Sequence, residues 1–543
     1  MKRNKILSYI LAGALMGGTM TSCSSDFLKE YSQDLGRVQT PEDLNELLMG
    51  DCVLPLGFYS KANSMCTYEN ENYAVLHFMS DELQENLCSD TDDSDFMNVR
   101  QSMFPYFTWQ QNTYLNDEGK NTYASAEENL WNLAYEKINN CNMVIAEGNS
   151  LKTNSEEDAA KVRRVQGECY FLRAFYYFTL ANLYGKPYTE ASASSDLAVP
   201  IKTSESVEDK EYQRATVADV YQQVLEDLKH AEDLLQNVKE QLSIYHASIE
   251  AVYILRSRVA LYMQDWQTAE EYAQKALDKN SNLQNLVGVD GSSYPMSLSN
   301  PEVVYSNGAS CLGNILQQSP RKANRWSNYA PIWTVSNDLY QLYDDGDARK
   351  VTYITTEDDM VDHHPTYHKI DNSVESADKY KEVSDVFSIR TAEAYLNMAE
   401  AKAQLGEDAE ACSWLGKLRQ KRMSQGAEVS LTGAELIQYV RDERARELCF
   451  EGHRWFDLRR YMVDAKLPYS KVIVHGYSSF QDSEREKTDY YQLEKNDAAY
   501  VLDIPKNVKD FQPSIGSNPR PQRLLQRSED TGDSGDDGDD EDW

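Results

Sequence analysis

Cysteine is scarce in this chain, with 9 residues among 543, too few for a disulfide-stapled scaffold. No two of them form a CxxC pair, which argues against a zinc site built from cysteines. Basic residues are also few, because 54 Lys and Arg face 88 Asp and Glu and leave a net charge of −34. So acidic a chain repels phosphate backbones, and we expect no nucleic-acid partner.

The motifs of common enzymes are missing as well. The sequence contains no P-loop, GxGxxG or HExxH, and residues 308–313 miss the GxSxG pattern by one position. Paired carboxylates for glycoside hydrolysis stay open, because 88 acidic residues make chance pairs common. We predict no catalytic residue and no enzyme.

One group of histidines is the best candidate for a metal site. His363, His364 and His368 follow Asp362, but Pro365 disfavours the helix that would place two of them on one face. A solvated loop is the alternative. The acidic C-terminal tail lacks EF-hand spacing, so bound calcium is conceivable there but is not predicted. We predict no metal ligand and no cofactor.

The N-terminus has the pattern of a targeting segment. Three basic residues precede the apolar run Ile6–Met20, whose 15 residues are fewer than a membrane span needs. The run ends in Thr21-Ser22-Cys23, similar to the lipobox of bacterial lipoproteins. We predict that residues 1–22 are removed and that Cys23 carries palmitate and other acyl chains as a membrane anchor. The alternative is an ordinary secretory signal followed by a chance thiol.

Apolar residues at helical spacing dominate the middle of the chain. They predict helices over Asn129–Glu147, Val162–Tyr184, Thr216–Leu235 and Arg441–Tyr461, and helical hairpins over Ile249–Met263 with Thr268–Leu277 and over Thr391–Leu405 with Asp408–Arg419. The two hairpins resemble tetratricopeptide units, but 140 residues separate their matching alanines. We therefore expect a helical scaffold interrupted by long inserts rather than a regular solenoid.

This pattern divides the chain into eight segments. They are a signal peptide (1–22), a tether with the first helix (23–58), a loop insert (59–123), a helical scaffold (124–279), a second loop-rich insert (280–389), further helices (390–461), an irregular segment (462–528) and an acidic disordered tail (529–543).

Several segments resemble the SusD/RagB family. The strongest is residues 441–460, RDERARELCFEGHRWFDLRR, which we call the signature segment; residues 167–178 and 183–187 match as well. Shorter matches include Ser80-Asp81-Glu82 and Leu502-x-Ile504-Pro505, and together they run from about residue 23 to 520. The end departs from the family, because Ser517-Asn518-Pro519 runs on into a basic patch and the acidic tail.

The resemblance implies a mainly α, SusD-like fold with tetratricopeptide-like hairpins, long inserts and a few short strands. It also implies an outer-membrane lipoprotein that faces the cell surface, as Asp26 and Glu30 after the lipid cysteine suggest for Bacteroidetes. Such a protein binds an oligosaccharide and delivers it to a SusC-like TonB-dependent transporter. RagB-type relatives bind peptides instead, and a scaffold that binds only other proteins is a further alternative.

Glycan binding requires flat rings beside polar groups, because a sugar has an apolar C–H face surrounded by hydroxyls. The two inserts contain such residues. We predict that the ligand contacts Trp109, Tyr106, Tyr68, Asn324, Arg325, Trp326 and Tyr329. For each ring the alternative role is that of a buried loop anchor.

The signature segment also invites an acid/base interpretation around Glu451 and His453. Ion pairing along one helix explains its charges without catalysis. The pairs predicted at spacings of three and four are Asp442–Arg446, Glu451–Arg454 and Asp457–Arg460.

Overall fold

The computed structural model describes most of the chain beyond its N-terminal segment. The described residues are 38–53, 58–60, 65–67, 72–86, 94–122, 126–308, 312–317, 333–358, 363–370, 383–481 and 484–530. The predicted signal peptide and Cys23 lie outside them.

Helices dominate the described chain, which confirms the mainly α fold class. They are α1 (Pro41–Leu47), α2 (Val75–Met79), α3 (Ser94–Phe107), α4 (Ala126–Ser150), α5 (Glu156–Tyr184), α6 (Val217–Leu235), α7 (Ile249–Met263), α8 (Trp266–Lys279), α9 (Leu312–Gln317), α10 (Asn337–Tyr340), α11 (Arg349–Thr352), α12 (Thr391–Leu405), α13 (Asp408–Arg419), α14 (Gly433–Glu447), α15 (Arg454–Met462) and α16 (Lys506–Phe511). Within the described ranges, no helix combines the length and apolar character needed to cross a bilayer.

Local signals explain where the scaffold helices begin. Helix α5 starts after Ser155, whose hydroxyl accepts a hydrogen bond from the Asp158 amide at 3.0 Å. Helix α6 starts with a capping box, in which Thr216 and Asp219 each accept a hydrogen bond from the other's amide, at 3.1 and 3.2 Å.

The two helical hairpins stack directly on each other in space. Helix α12 packs against α8 of the first hairpin as well as against α13, its own partner. The described parts of the chain between the hairpins contain the short helices α9–α11 and several short strands. The long separation along the sequence argued against a regular solenoid, and the structure shows the expected helical scaffold in which the two hairpins pack together across an insert.

The prediction of one helix over Arg441–Tyr461 is wrong. Helix α14 ends at Glu447 and α15 begins at Arg454. Between them, Phe450 and Gly452 have φ angles of 58° and 74°, in the left-handed region that ends helices. A Cβ on Gly452 would lie 2.6 Å from Cγ1 of Val386, so only glycine fits there.

Most strands are short and pair antiparallel. The pairs are β1 (Phe58–Ser60) with β2 (Met65–Thr67), β3 (Leu83–Glu85) with β5 (Trp333–Val335), β4 (Val303–Ser306) with β8 (Ser388–Arg390), and β6 (Ile354–Asp358) with β7 (His363–Tyr367). The segment that contains His363, considered above as a metal candidate or a solvated loop, is therefore a strand.

The segment 462–528 is more regular than predicted. Strands β9 (Ile473–Gln481) and β10 (Glu484–Leu493) form a hairpin, and β11 (Arg527–Asp530) pairs with β10. The tail predicted to be disordered from residue 529 therefore starts within a strand. Backbone pairing and a hydrogen bond of 3.0 Å from the Tyr490 hydroxyl to the Glu529 carboxylate hold that residue in place.

Candidate functional site

The two predicted ligand inserts are joined by the sheet of β3 and β5, which we call the root sheet. Leu83 pairs with Val335 and Glu85 pairs with Trp333. Beyond the strands, the Ser336 amide donates to the Glu82 carbonyl at 2.9 Å. The strands are antiparallel, so the chain leaves β3 and enters β5 at the same end of the root sheet. The root sheet therefore lies within both inserts and ties one to the other.

A cluster of stacked rings supports the root sheet. This aromatic base consists of Phe78, Phe107, Trp109, Trp333 and His475. The Trp333 ring lies 4.8 Å from Phe78 and 4.7 Å from Phe107, both in edge contacts. The His475 ring stacks between Phe107 at 4.1 Å and Trp109 at 4.4 Å. Each such aromatic pair contributes about 0.5–1.5 kcal/mol beyond area burial, so the base stabilises the root sheet.

Burial makes His475 behave as an aromatic ring in this base. Desolvation lowers the pKa of His475 to about 4, so the imidazole is neutral at physiological pH. Its Nδ1 lies 2.7 Å from the Phe107 carbonyl oxygen. The histidine therefore fastens strand β9 to the end of helix α3 without adding a charge.

The structure places two of the predicted ligand rings inside the protein. Trp109 is 0% exposed and Tyr106 is 1% exposed. The Trp109 indole also donates a hydrogen bond to the Met79 carbonyl at 2.9 Å. Neither ring offers a face to a sugar in this arrangement, which favours the alternative role of loop anchor for both.

The other predicted ligand residues lie outside the described residues. They are Tyr68, Asn324, Arg325, Trp326 and Tyr329. The last four belong to the stretch that ends where β5 begins at Trp333. Their role in binding stays a prediction.

Polar groups that the sequence reasoning missed surround the end of the root sheet. Arg100 Nε donates to Glu85 at 2.5 Å, and the Ser478 amide donates to the other oxygen of the same carboxylate at 2.6 Å. The Arg100 guanidinium lies 3.7 Å above the Tyr477 ring, whose hydroxyl donates to Asp117 at 3.1 Å. These side chains are far apart in sequence, so no local pattern could have identified them.

The Ser80-Asp81-Glu82 motif attaches the first insert to the signature segment. Asp81 accepts both Arg454 hydrogen bonds, at 2.7 and 2.8 Å, and one from Lys471 at 2.7 Å. Although burial raises the pKa of Asp81, these two cations hold it well below its usual value. Glu82 accepts the Phe450 amide at 2.7 Å. The motif therefore has a structural role, since it anchors the first insert to the signature segment.

The signature segment forms a buried charge network around Glu447. Its carboxylate accepts hydrogen bonds from three guanidinium groups at 2.9–3.0 Å, those of Arg349, Arg390 and Arg422. Arg390 and Arg422 also each reach Glu302 at 2.7 Å. All five side chains are at most 1% exposed.

Two of the three ion pairs predicted along this segment are wrong. Asp457 pairs with Arg460 at 2.7 Å as predicted, but Glu451 pairs with Lys369 and Arg390, and Arg454 pairs with Asp81. The predicted pair of Asp442 with Arg446 is wrong as well. Arg446 pairs with Glu443 at 2.6 Å, and Asp442 accepts from Gln438. The break between α14 and α15 explains only the failed Glu451–Arg454 pair, because Asp442, Arg446 and their actual partners all lie within α14.

The acid/base interpretation of His453 finds no support in its surroundings. Burial and the nearby cations, Arg258 first, hold the pKa of His453 well below its usual value. The cavity beside it has a volume of about 30 Å³, room for a water molecule and not for a sugar ring.

Comparison with known proteins agrees with this architecture. A family model described as "Starch-binding associating with outer membrane" matches residues 70–261. A second model, described as the SusD family, matches residues 335–520. The chain belongs to the SusD family. Members of this family are nutrient-binding proteins, which supports the predicted binding function in its general form.

Similar proteins extend the likeness over most of the chain. SusD-like protein P2 of Formosa agariphila is 24% identical over 395 residues, covering 63% of this chain and 74% of the relative. A SusD superfamily protein of Bacteroides thetaiotaomicron has a TM-score of 0.63 at 22% identity, covering 89% of this chain and all of the other. The surface glycan-binding protein A of Bacteroides uniformis has a TM-score of 0.61 at 16% identity, covering 88% of this chain and 100% of its own. At these identities the structures establish the shared SusD fold.

Proposed function

We propose that this SusD-family protein captures an oligosaccharide at the cell surface and delivers it to a SusC-like TonB-dependent transporter. The observation that carries the proposal is the pairing of β3 with β5, which joins two aromatic-rich inserts beside one aromatic base. The names of similar structures point the same way: one from Bacteroides vulgatus is called a SusD-like carbohydrate binding protein.

The ligand contacts come from the stretch before β5. Trp326 and Tyr329 offer rings for the apolar face of a sugar, and Asn324 and Arg325 offer donors for its hydroxyls. Tyr68 contributes from the first insert. Few side chains take part, so we expect a dissociation constant from micromolar to millimolar, or about −4 to −8 kcal/mol.

Three variants separate ligand contacts from packing. Trp326→Ala should weaken glycan binding at least tenfold, or about 1.4 kcal/mol, and leave the melting temperature unchanged. Trp109→Ala should lower the melting temperature, because its ring is buried in the aromatic base. Phe511→Ala, at a side chain 72% exposed, should change neither.

Isothermal titration against a glycan panel and against oligopeptides is the measurement. Binding of glycans that survives Trp326→Ala would remove that residue from the site. Binding of peptides alone would replace the proposal with the RagB-like alternative, and binding of neither would favour a protein-binding scaffold. Labelled glycans should be recovered intact, and any product would contradict a purely binding function.

The membrane anchor is tested separately. Cys23→Ala should abolish palmitate labelling and release the protein from membranes, whereas Cys412→Ala should change neither. Co-purification with a large β-barrel partner would support delivery to a transporter. Unchanged membrane retention of the Cys23→Ala variant would contradict the lipid anchor.

A further inference from the structure

Three cysteines distant in sequence meet in the protein core. The sulfur atoms of Cys52, Cys141 and Cys169 all lie within 4.8 Å of one another. Each residue is 0% exposed and each thiol is free. We call this group the thiol cluster. The argument from CxxC spacing missed it, because the three residues come from separate elements.

The elements that supply the thiols are firmly connected. Cys52 ends the π-helical turn Leu48–Cys52 that follows α1, while Cys141 lies in α4 and Cys169 lies in α5. The Tyr176 hydroxyl of α5 donates to the Cys52 carbonyl at 2.9 Å. The Asn140 side chain of α4 donates to the carbonyl of Asp51, the residue before Cys52, also at 2.9 Å. The convergence of the three sulfurs is thus fixed by hydrogen bonds from both helices.

The spacing suits a three-coordinate metal ion. A metal at roughly 2.3 Å from each of three sulfurs in a plane places the sulfurs roughly 4.0 Å apart, inside the limit of 4.8 Å that the cluster obeys. No histidine or carboxylate among the described residues joins the group as a fourth ligand.

Three sulfur ligands without a fourth select among metals. Structural zinc is almost always four-coordinate, so the cluster is incomplete for Zn²⁺. Thiolates are soft ligands that favour Cu(I), an ion that is stable with three of them. A hard ion such as Ca²⁺ or Mg²⁺ requires oxygen ligands, which the cluster lacks.

We propose that Cys52, Cys141 and Cys169 bind one Cu(I) ion in a three-coordinate site that clamps the π-helical turn Leu48–Cys52 onto α4 and α5. On binding, the three thiols lose their protons to solvent and three Cu–S bonds form. Copper stays in the +1 state and no sulfur is oxidised. Cys52 lies seven residues before residue 59, where the first insert begins, so the clamp would hold the chain to the scaffold shortly before that insert.

The test uses the whole chain, reduced and stripped of metal, titrated with Cu(I) under argon against the colorimetric competitor bicinchoninate. The wild type should retain one equivalent, and X-ray absorption should show three sulfur ligands. Its melting temperature should rise, because the ion binds only the folded state. Cys141→Ala and Cys52→Ala should weaken retention by more than the roughly 10- to 100-fold typical of outer-shell changes.

Cys449→Ala is the matched control, since it removes a buried thiol outside the cluster, and it should retain copper as the wild type does. Equal retention by all variants would place the copper elsewhere and overturn the proposal. A disulfide between two of the three cysteines, found by non-reducing peptide mapping, would overturn it as well. If the cluster variants fail to fold, X-ray absorption of the wild type decides, and nitrogen or oxygen ligands in place of sulfur would overturn the site.

Discussion

Helix α5 and the helix pair α14–α15 are buried to a similar extent by opposite means. Helix α5 buries mainly aromatic and aliphatic side chains, and Arg173, its one buried arginine, pairs with Asp227. Helices α14 and α15 bury a dense set of charged side chains instead, namely Arg441, Glu443, Arg444, Arg446, Glu447, Asp457, Arg459 and Arg460. A buried apolar helix can be recognised from its composition. A buried charged helix has the composition of a solvated one, so its burial is recognised only once the partners of its charges are known.

The two kinds of burial should differ most when one partner is removed. Glu447→Gln keeps the shape of the side chain but leaves three arginines short of a buried counter-charge. Loss of one member of a buried ion pair costs about 3–5 kcal/mol, which urea unfolding at pH 7 measures. Glu42→Gln, at an exposed ion pair with Lys161, should leave the free energy of unfolding unchanged.

The loss at Glu447 should also depend on pH. Burial opposes its ionisation, but Arg422, Arg390 and Arg349 hold its pKa well below the usual value. Its contribution is therefore present above its unfolded pKa, about 4.3, and disappears as the pH falls further. The difference between wild type and Glu447→Gln should shrink below about pH 4. A constant difference would contradict the charged role of Glu447.

The apolar helix should respond to size and not to pH. Leu180 in α5 is 0% exposed, and Leu180→Ala should lower the free energy of unfolding by about 2–5 kcal/mol. No titratable group is removed, so the loss should be equal at pH 5 and pH 8. A loss that varies with pH would show that α5 depends on charges after all.

A third buried group, His77, should contribute less to the stability of the protein at high pH than at low pH. His77 Nδ1 lies 2.9 Å from Glu82 and its Nε2 lies 3.4 Å from Asp385. Burial opposes the charge, but these two carboxylates raise the pKa of His77 to about 9. Its contribution is full below its unfolded pKa, about 6.5, and is lost as the pH rises through 9. We expect a loss of about 3 kcal/mol between these values.

The matched variant for this pH effect is His77→Gln, which lacks the titration. Its free energy of unfolding should be lower than that of the wild type at pH 6 and should change little up to pH 9.5. A wild type with the same flat profile would contradict the elevated pKa of His77.

The smallest effect concerns a helix that packs against α5. Thr216→Ala removes the capping box of α6 and should cost about 1 kcal/mol, whereas Thr216→Ser should keep the hydroxyl acceptor and most of the stability. Thermal unfolding of the two variants side by side is the measurement. Equal losses would show that the methyl group of Thr216 matters more than its hydroxyl.

Scaffold elements were predictable because their signals are local. Helices α7, α12 and α13 begin and end at the predicted residues, since apolar spacing and caps act within a few positions. The long hairpin of β9 and β10 was missed, because polar residues on both faces hide its alternation. The break after Glu447 was missed because the charges on either side of it follow helical spacing without interruption.

The candidate site was predictable only in outline. The resemblance to SusD proteins located the two inserts, but composition could not distinguish a ring that anchors from a ring that binds. Trp109 is enclosed by Met79 and His475, which lie 30 and 366 residues away along the chain. The thiol cluster was invisible for the same reason, since its members belong to three separate elements.

Local residue patterns alone thus specify an acidic, mainly α SusD-family chain with aromatic inserts, because helix periodicity, caps and family motifs are written in neighbouring residues. Which arginine meets which carboxylate, which tryptophan is enclosed and which cysteines converge depend on the folded chain. Those contacts join side chains hundreds of residues apart, and their energies come from burial that exists only after the helices have packed.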